Sequence, residues 1–236
     1  FDVGTSSMRG VLMNEQADIL CQFQEKYHPD FHLSIYVTQN PEIWRSVLYD
    51  IAKNIQIWCE EHGHKVEMIS LTAQRTSMIP VDRDGNALCD AVMWQDKRNI
   101  KTCMRLAGYD GDIIRRSGTM VNPVFAGSKM AWLHENEPEI YDRSYKLFVV
   151  ADYLFYHMTG RTYASRFHLM NLRTGQWDKQ LLDIFDVEES KLCELIDPGE
   201  LHGYTNEAFS KASGIPTGVP VYSAGGDQQC SALGMG

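Results

Sequence analysis

The spacing of apolar positions changes several times along the chain, and each change marks an element. In "FDVGTSSMRGVLMNEQADIL" short apolar–polar alternations flank the glycine-hydroxyl stretch Gly4 to Ser7. That pattern predicts two strands joined by a tight turn. Val11 and Met13 carry the second strand, and Ile19 and Leu20 its continuation. From Pro41 the period becomes helical, with Ile43, Trp44, Val47, Leu48, Ile51, Ile55 and Trp58 on one stripe. Asn40 suits the N-cap and Pro41 the first helical position, and the helix is predicted to end near His62 and Gly63. "KVEMISLTAQ" reads as a strand that delivers Gln74 and Arg75 at its end. "SMIPVDRDGNALCDAVMW" reads as a hairpin turning at Asp84-Gly85, and its returning strand runs into the polar "QDKR". Helices are predicted around Ile100 to Leu106 and Lys129 to His134, a strand at "YKLFVV", and a helix in "ADYLFYHMTG" closed by Gly160. Residues 176–210 read as mostly helical, and "GIPTGVPVYSAGGD" returns to a strand followed by a polar loop.

Strands alternating with helices, no linker and no internal repeat predict a single α/β domain with a mixed sheet flanked by helices. Four strand ends carry chemistry: Asp2 to Arg9; Gln74, Arg75 and Thr76; Trp94 to Arg98; and Gly225 to Gln228. In α/β sheets ligands bind in the crevice outside the strand ends, so the four loops are expected to share one cleft. "DVGTSS" could cradle phosphate oxygens on backbone N–H groups and hydroxyls, with Asp2 holding a hydrated Mg²⁺; it is equally an ordinary hairpin turn. Asp227, behind two glycines, suits a base that accepts a hydroxyl proton, and equally an N-cap of the next helix. Arg75 could contact a polyol or phosphate, or pair on the surface. Trp94 could present an aromatic face to a sugar, or be core. Asp96 and Arg98 read as a structural clamp as readily as a site.

Composition narrows the choice. A net charge of -9 over 236 residues disfavours a nucleic-acid partner. No apolar run reaches the ~20 residues that span a bilayer, and no membrane partner is expected. Six scattered cysteines without a C-x-x-C pair read as reduced thiols of a cytoplasmic protein. His62 and His64 flank a glycine without further ligands near in sequence and read as a surface turn. Phe1 already lies inside the alternating pattern and "SALGMG" reads as the start of a helix, so both ends are expected to continue in a longer polypeptide.

Six stretches in order, "DVGTSSMRGVL", "TAQRTSMIPVDRDGNALCDAVMWQDKR", "SKMAWL", "ADYLFYHMTG", "NLRTGQWD" and "GIPTGVPVYSAGGDQQCSALG", together resemble the N-terminal domain of the FGGY carbohydrate kinases. The resemblance covers essentially the whole chain. It implies an actin-like, ribonuclease-H-like fold and ATP-dependent phosphorylation of a sugar or polyol, with a C-terminal nucleotide-binding domain outside this chain. It implies ATP and Mg²⁺ as cofactors and is compatible with a homodimer. By this likeness Asp2 serves the metal, and Thr5, Ser6, Arg9 and Gly226 lie at the phosphate. Arg75, Thr76, Trp94 and Gln228 contact the acceptor, and Asp227 is the base. Two departures bear on the acceptor. Glycerol kinases carry a glutamate where Thr76 stands and a tyrosine where Val124 stands, and xylulokinases carry glutamine-methionine-histidine at residues 74–76. Glycerol and D-xylulose are therefore disfavoured. The stretch "TGRTYASRFHLMNLRTG" is also short before Ala164 and Ser165, where the family has an acidic residue. Intact Asp2, Thr5 and Asp227 weigh against a non-catalytic sugar sensor, and Arg75 with Trp94 against an actin-like ATPase without a small acceptor.

Overall fold

The computed structural model describes residues 1–32, 35–165 and 169–236. The chain opens with β1 (Asp2–Val3), β2 (Ser7–Met13), β3 (Ile19–Lys26), β4 (Asp30–His32) and β5 (Tyr36–Gln39), followed by α1 (Pro41–His62). Next come β6 (Ile69–Ala73), β7 (Met78–Val81), β8 (Ala91–Val92), α2 (Ile100–Leu106), α3 (Asp110–Ser117), α4 (Ala126–Asn136) and α5 (Pro138–Arg143). Then follow β9 (Lys146–Val149), α6 (Val150–Thr159), β10 (Tyr163–Ser165), α7 (Lys179–Phe185), β11 (Glu194–Ile196) and β12 (Leu201–Tyr204). α8 (Glu207–Ser213), β13 (Pro220–Gly226) and α9 (Asp227–Gly234) complete it.

The first helix shows how local chemistry sets an element. Asn40 accepts a hydrogen bond from the Glu42 N–H, Pro41 starts the first turn, and Gly63 stops the helix at φ 70. The apolar stripe of α1 is buried against the first sheet, with Trp44, Leu48 and Ile51 fully inside. Each such side chain contributes roughly 1.5–3 kcal/mol by leaving water.

That sheet has the order β12-β13-β6-β1-β2-β3. β1, β2 and β3 form an antiparallel meander, and β6 and β13 add on in parallel beside β1. This is the ribonuclease-H-like order. One core joins Val3, Met8, Leu71 and Val221 of the sheet to α1, α6 and α8. A second sheet, β4-β5-β8-β7-β9, is antiparallel throughout and carries the hairpin turning at Asp84-Gly85. A second core, around Met130, Tyr141, Leu147 and Phe185, lies behind it.

Three sequence expectations need correction. Ile19 and Leu20 do not continue the second strand. They begin β3, because Asn14 Oδ1 accepts from the N–H groups of Gln16 and Asp18 and folds residues 14–18 into a turn. β4 and β5 follow before α1, where no strand was expected. Residues 176–210 are not mostly helical: between α7 and α8 lie β11 and β12, and β12 pairs with β13. Three- and four-residue strands are too short to show a period of two. His62 and His64 are explained by Trp58, whose ring stacks on both, with centroids 4.1 and 5.4 Å away.

Candidate active site

Three parallel strands finish level with one another. Val3 pairs with Ala73, and Ala73 pairs with Gly226. The residues that follow, Gly4-Thr5, Gln74-Arg75 and Asp227-Gln228, therefore leave the sheet along one edge. The turn after β1 is fixed by the Gly4 N–H to Ser7 C=O bond at 2.9 Å and by Tyr27, whose hydroxyl donates to the Gly4 carbonyl at 2.7 Å. Trp94 arrives from the second sheet. Its Nε1 donates to Thr5 Oγ1 at 3.0 Å, and Thr5 Oγ1 in turn donates to Gln74 Oε1 at 3.4 Å. Ser77 Oγ donates to the same Gln74 oxygen at 3.3 Å and accepts the Trp94 N–H at 3.0 Å. These bonds tie the two sheets together at the site.

A cavity of about 400 Å³ opens there. One wall is the row of strand ends, with Thr5, Gln74, Arg75, Thr76, Asp227 and Gln228, and Trp94 beside it. The rest of the lining, a second wall, is made of Ser117, Thr119, Val124, Phe125, Met170 and Leu172. Five of the expected acceptor residues thus meet: Arg75, Thr76, Trp94, Asp227 and Gln228. Asp2, Ser6, Arg9 and Gly226 do not line the cavity. Asp2 and Arg9 are register partners across β1 and β2, and both side chains are exposed. Arg9 Nη2 donates to Gln24 Oε1 at 3.3 Å, and Ser6 is exposed in the turn.

Asp227 is the first residue of α9, after an N-cap at Gly226. Its Oδ1 accepts the Gln228 N–H at 2.9 Å, and Oδ2 has no hydrogen bond among the described residues. The two glycines have separate tasks. Gly225 sits at φ 114 where the β13–β6 register shifts, a conformation that side-chain-bearing residues rarely take. Gly226 lies under Arg75: a Cβ there would stand 2.4 Å from Arg75 Cδ. The space above Gly226 thus holds the arginine stem. Thr76, next in the wall, has φ 71, which for a β-branched residue stores backbone strain at the cavity rim.

Asp96 and Arg98 form the clamp. Asp96 receives Arg98 Nε and Nη2 at 2.9 and 2.8 Å, together with the N–H groups of Val37 and Arg98. The guanidinium also lies over Tyr36 and Trp132, at 4.7 and 5.2 Å. A buried pair with its donors this fully matched fixes the course of the chain just after Trp94.

Sequence reading did not single out Ser117, Thr119, Phe125, Met170 or Leu172. They sit in loops and at helix ends without periodicity, brought together by long-range bonds such as Leu172 N–H to Arg116 C=O at 2.9 Å. In the stretch that is short before Ala164 and Ser165, residues 166–168 lie outside the described residues.

The sheet order, with a cavity at its strand ends, defines an actin-like, ribonuclease-H-like domain. The sequence pattern described as "FGGY family of carbohydrate kinases, N-terminal domain" matches residues 1–234. The chain belongs to this family. It is 27% identical over 241 residues to a xylulose kinase of Lactococcus lactis subsp. lactis, covering 100% of this chain and 48% of that protein. It is 31% identical over 249 residues to a glycerol kinase of Chromobacterium violaceum, covering 99% and 49%. Among solved structures, a xylulose kinase from Rhodospirillum rubrum superposes with a TM-score of 0.94 at 18% identity, covering 100% of this chain and 50% of that one. Plasmodium falciparum glycerol kinase with ADP gives 0.90 at 23%, covering 99% and 49%. These two likenesses carry the fold. The chain spans about half the length of the curated relatives it matches. No helix among the described residues is long and apolar enough to cross a membrane.

Proposed function

We propose that the complete protein is an ATP-dependent kinase of a sugar or polyol, and that this chain is the half that binds the acceptor and carries the base. The observation behind the reading is the shared register of Val3, Ala73 and Gly226, which brings Arg75 and Asp227 to one cavity. In this reading the acceptor hydroxyl gives its proton to Asp227 Oδ2, while Gln228 N–H holds Oδ1 and fixes the carboxylate. Arg75, Thr76 and Gln228 bind the remaining hydroxyls, and Trp94 packs on the carbon chain. A positioned base is worth about 10²–10⁴ in rate. Phosphoryl transfer has a loose transition state, so orientation and charge neutralisation carry most of the remainder.

Bound ATP supplies the phosphoryl group, and Mg²⁺ neutralises its charge. Mg²⁺ keeps several waters and takes one or two carboxylates along with phosphate oxygens. No group of three or more potential ligands occurs among the described residues, and the single exposed carboxylate of Asp2 suits that hydrated mode. Thr5, Ser6 and Arg9 lie in or next to the same turn, and Gly226 at the neighbouring strand end. The Thr5 hydroxyl is engaged by Trp94 and Gln74, which leaves its backbone N–H for a phosphate oxygen. The partner for closure is the protein's own C-terminal domain, which holds the nucleotide and excludes water. The six unpaired thiols suit a cytoplasmic location.

Thr76 and Val124 point to an acceptor other than glycerol, and Arg75-Thr76 to one other than D-xylulose. The test is the complete protein against a panel of ketoses, polyols and sugar acids in a coupled ADP assay. The expected result is strong ADP release with one acceptor or a narrow group. ADP release that no acceptor stimulates would contradict the reading.

A further inference from the structure

Thr119, Val124 and Phe125 of the cavity lining lie on a stretch of irregular chain, residues 119–125, and three buried side chains hold its residues 122–125. Asn99 and Lys129 are fully buried, as is Ser128. Together they reach four consecutive carbonyls. Ser128 Oγ lies 2.9 Å from the Asn122 oxygen and 2.8 Å from the Phe125 oxygen, and shares its proton between them. Asn99 Nδ2 donates to the Pro123 oxygen at 3.1 Å and to Ser128 Oγ at 2.8 Å. Lys129 Nζ donates to the Pro123 oxygen and, at 2.9 Å, to the Val124 oxygen.

A lysine is almost never fully buried, because an ammonium loses far more in leaving water than a methylene stem gains. Burial pushes the Lys129 ammonium down to about 7, with Asp96 opposing that shift. A residue this unfavourable for stability persists where its hydrogen bonds define something. Here they define the path of the main chain that presents Val124 and Phe125 to the cavity. Val124 itself is 38% exposed and has little packing of its own to hold it. Asn99 also stands at the end of the polar stretch that begins with Trp94, so the same cluster connects the Trp94 side of the cavity to the Val124–Phe125 side.

We propose that Asn99, Ser128 and Lys129 are positioning residues of the acceptor site: they set acceptor affinity by fixing the main chain of residues 122–125, without touching the acceptor. This rests on the kinase reading above. Removing such a support should loosen ground state and transition state alike, which raises KM and spares kcat.

The experiment uses the complete protein with the best acceptor from the panel. Lys129→Met keeps approximate volume and removes the donors; Ser128→Ala removes only a hydroxyl and serves where Lys129→Met fails to fold. Leu182→Ala, in the second core on α7, is the control for lost stability. The expected result for Lys129→Met is an acceptor KM raised about ten-fold, kcat within about two-fold, and an unchanged KM for ATP. Ser128→Ala should follow in the same direction, and Leu182→Ala should lower Tm without moving KM. An unchanged acceptor KM in folded Lys129→Met, or in Ser128→Ala where Lys129→Met does not fold, overturns the inference. An equal rise of KM in Leu182→Ala also overturns it. A wild-type protein without acceptor-stimulated ADP release overturns the kinase reading itself and this inference with it, and is recognised before any variant is made.

Discussion

The two walls of the cavity are built by different physics. The wall with Thr5, Arg75 and Asp227 stands on backbone pairing: the parallel register Val3–Ala73–Gly226 sets where its residues leave the sheet. The wall with Val124, Phe125, Met170 and Leu172 lies outside the named strands among the described residues, and side chains hold its residues 122–125 in place. In the kinase reading proposed above, the group that takes the proton, Asp227, sits on the wall that the strand register builds.

Substitutions can break or sharpen the comparison. Apart from loss of the base itself, the largest effect is expected at Gly226, whose φ of -76 any residue can adopt. A Cβ there meets Arg75 Cδ at 2.4 Å, so Gly226→Ala should displace the arginine and raise acceptor KM about ten-fold or more with little change in Tm. Gly225→Ala should do the reverse. Its added Cβ meets nothing closer than Pro198 at 3.6 Å, but φ 114 strains the backbone by about 1–3 kcal/mol, read as a fall in Tm. Equal KM effects from both would erase the distinction between placement by contact and placement by backbone.

A middle-sized effect lies away from both walls. Asp152, at the start of α6, is fully buried, its Oδ2 accepting the Val149 N–H at 3.0 Å and its Oδ1 without a partner among the described residues. Burial pushes its carboxyl up to about 8, against the smaller opposing pull of that hydrogen bond. The folded chain therefore keeps this proton where the unfolded chain, titrating near ~3.9, has lost it. The contribution is present in full below pH ~4 and is lost as pH rises towards 8. Asp152→Asn should flatten that decline and give the higher Tm at pH 8, by about 2–4 °C per kcal/mol recovered, with acceptor KM unchanged. A Tm that falls in parallel with wild type from pH 5 to pH 8 would remove Asp152 as the titrating group. The smallest effect is expected at Thr76. Thr76→Gly relieves the left-handed backbone and should raise Tm by a few degrees at most, about 1 kcal/mol, while loosening acceptor binding only slightly.

The same division explains what the sequence disclosed. Strand ends marked by Gly4, Gln74 or the Gly225-Gly226 pair are local signals, as are the Asn40, Pro41 and Gly63 boundaries of α1 and the short reach from Asp96 to Arg98. Each depends on residues a few positions apart. The wall of Val124 and Leu172 depends partly on partners far along the chain, Asn99 with Pro123 and Ser128 and Arg116 with Leu172, and no period records them. β4, β5, β11 and β12 were missed because strands of three or four residues owe their existence to the neighbour they pair with. Gly226 was legible as a position that needs no side chain. That an arginine, and not the ligand, fills its space is a fact of packing that spacing could not convey.

The central claim is that Asp227 accepts the acceptor's proton from the rigid wall. The direct measurement is kcat of the complete Asp227→Asn protein beside its equilibrium affinity for the best acceptor. The expected result is a kcat lower by about 10²–10⁴ with acceptor affinity within a few-fold of wild type. A kcat within a few-fold of wild type would contradict it.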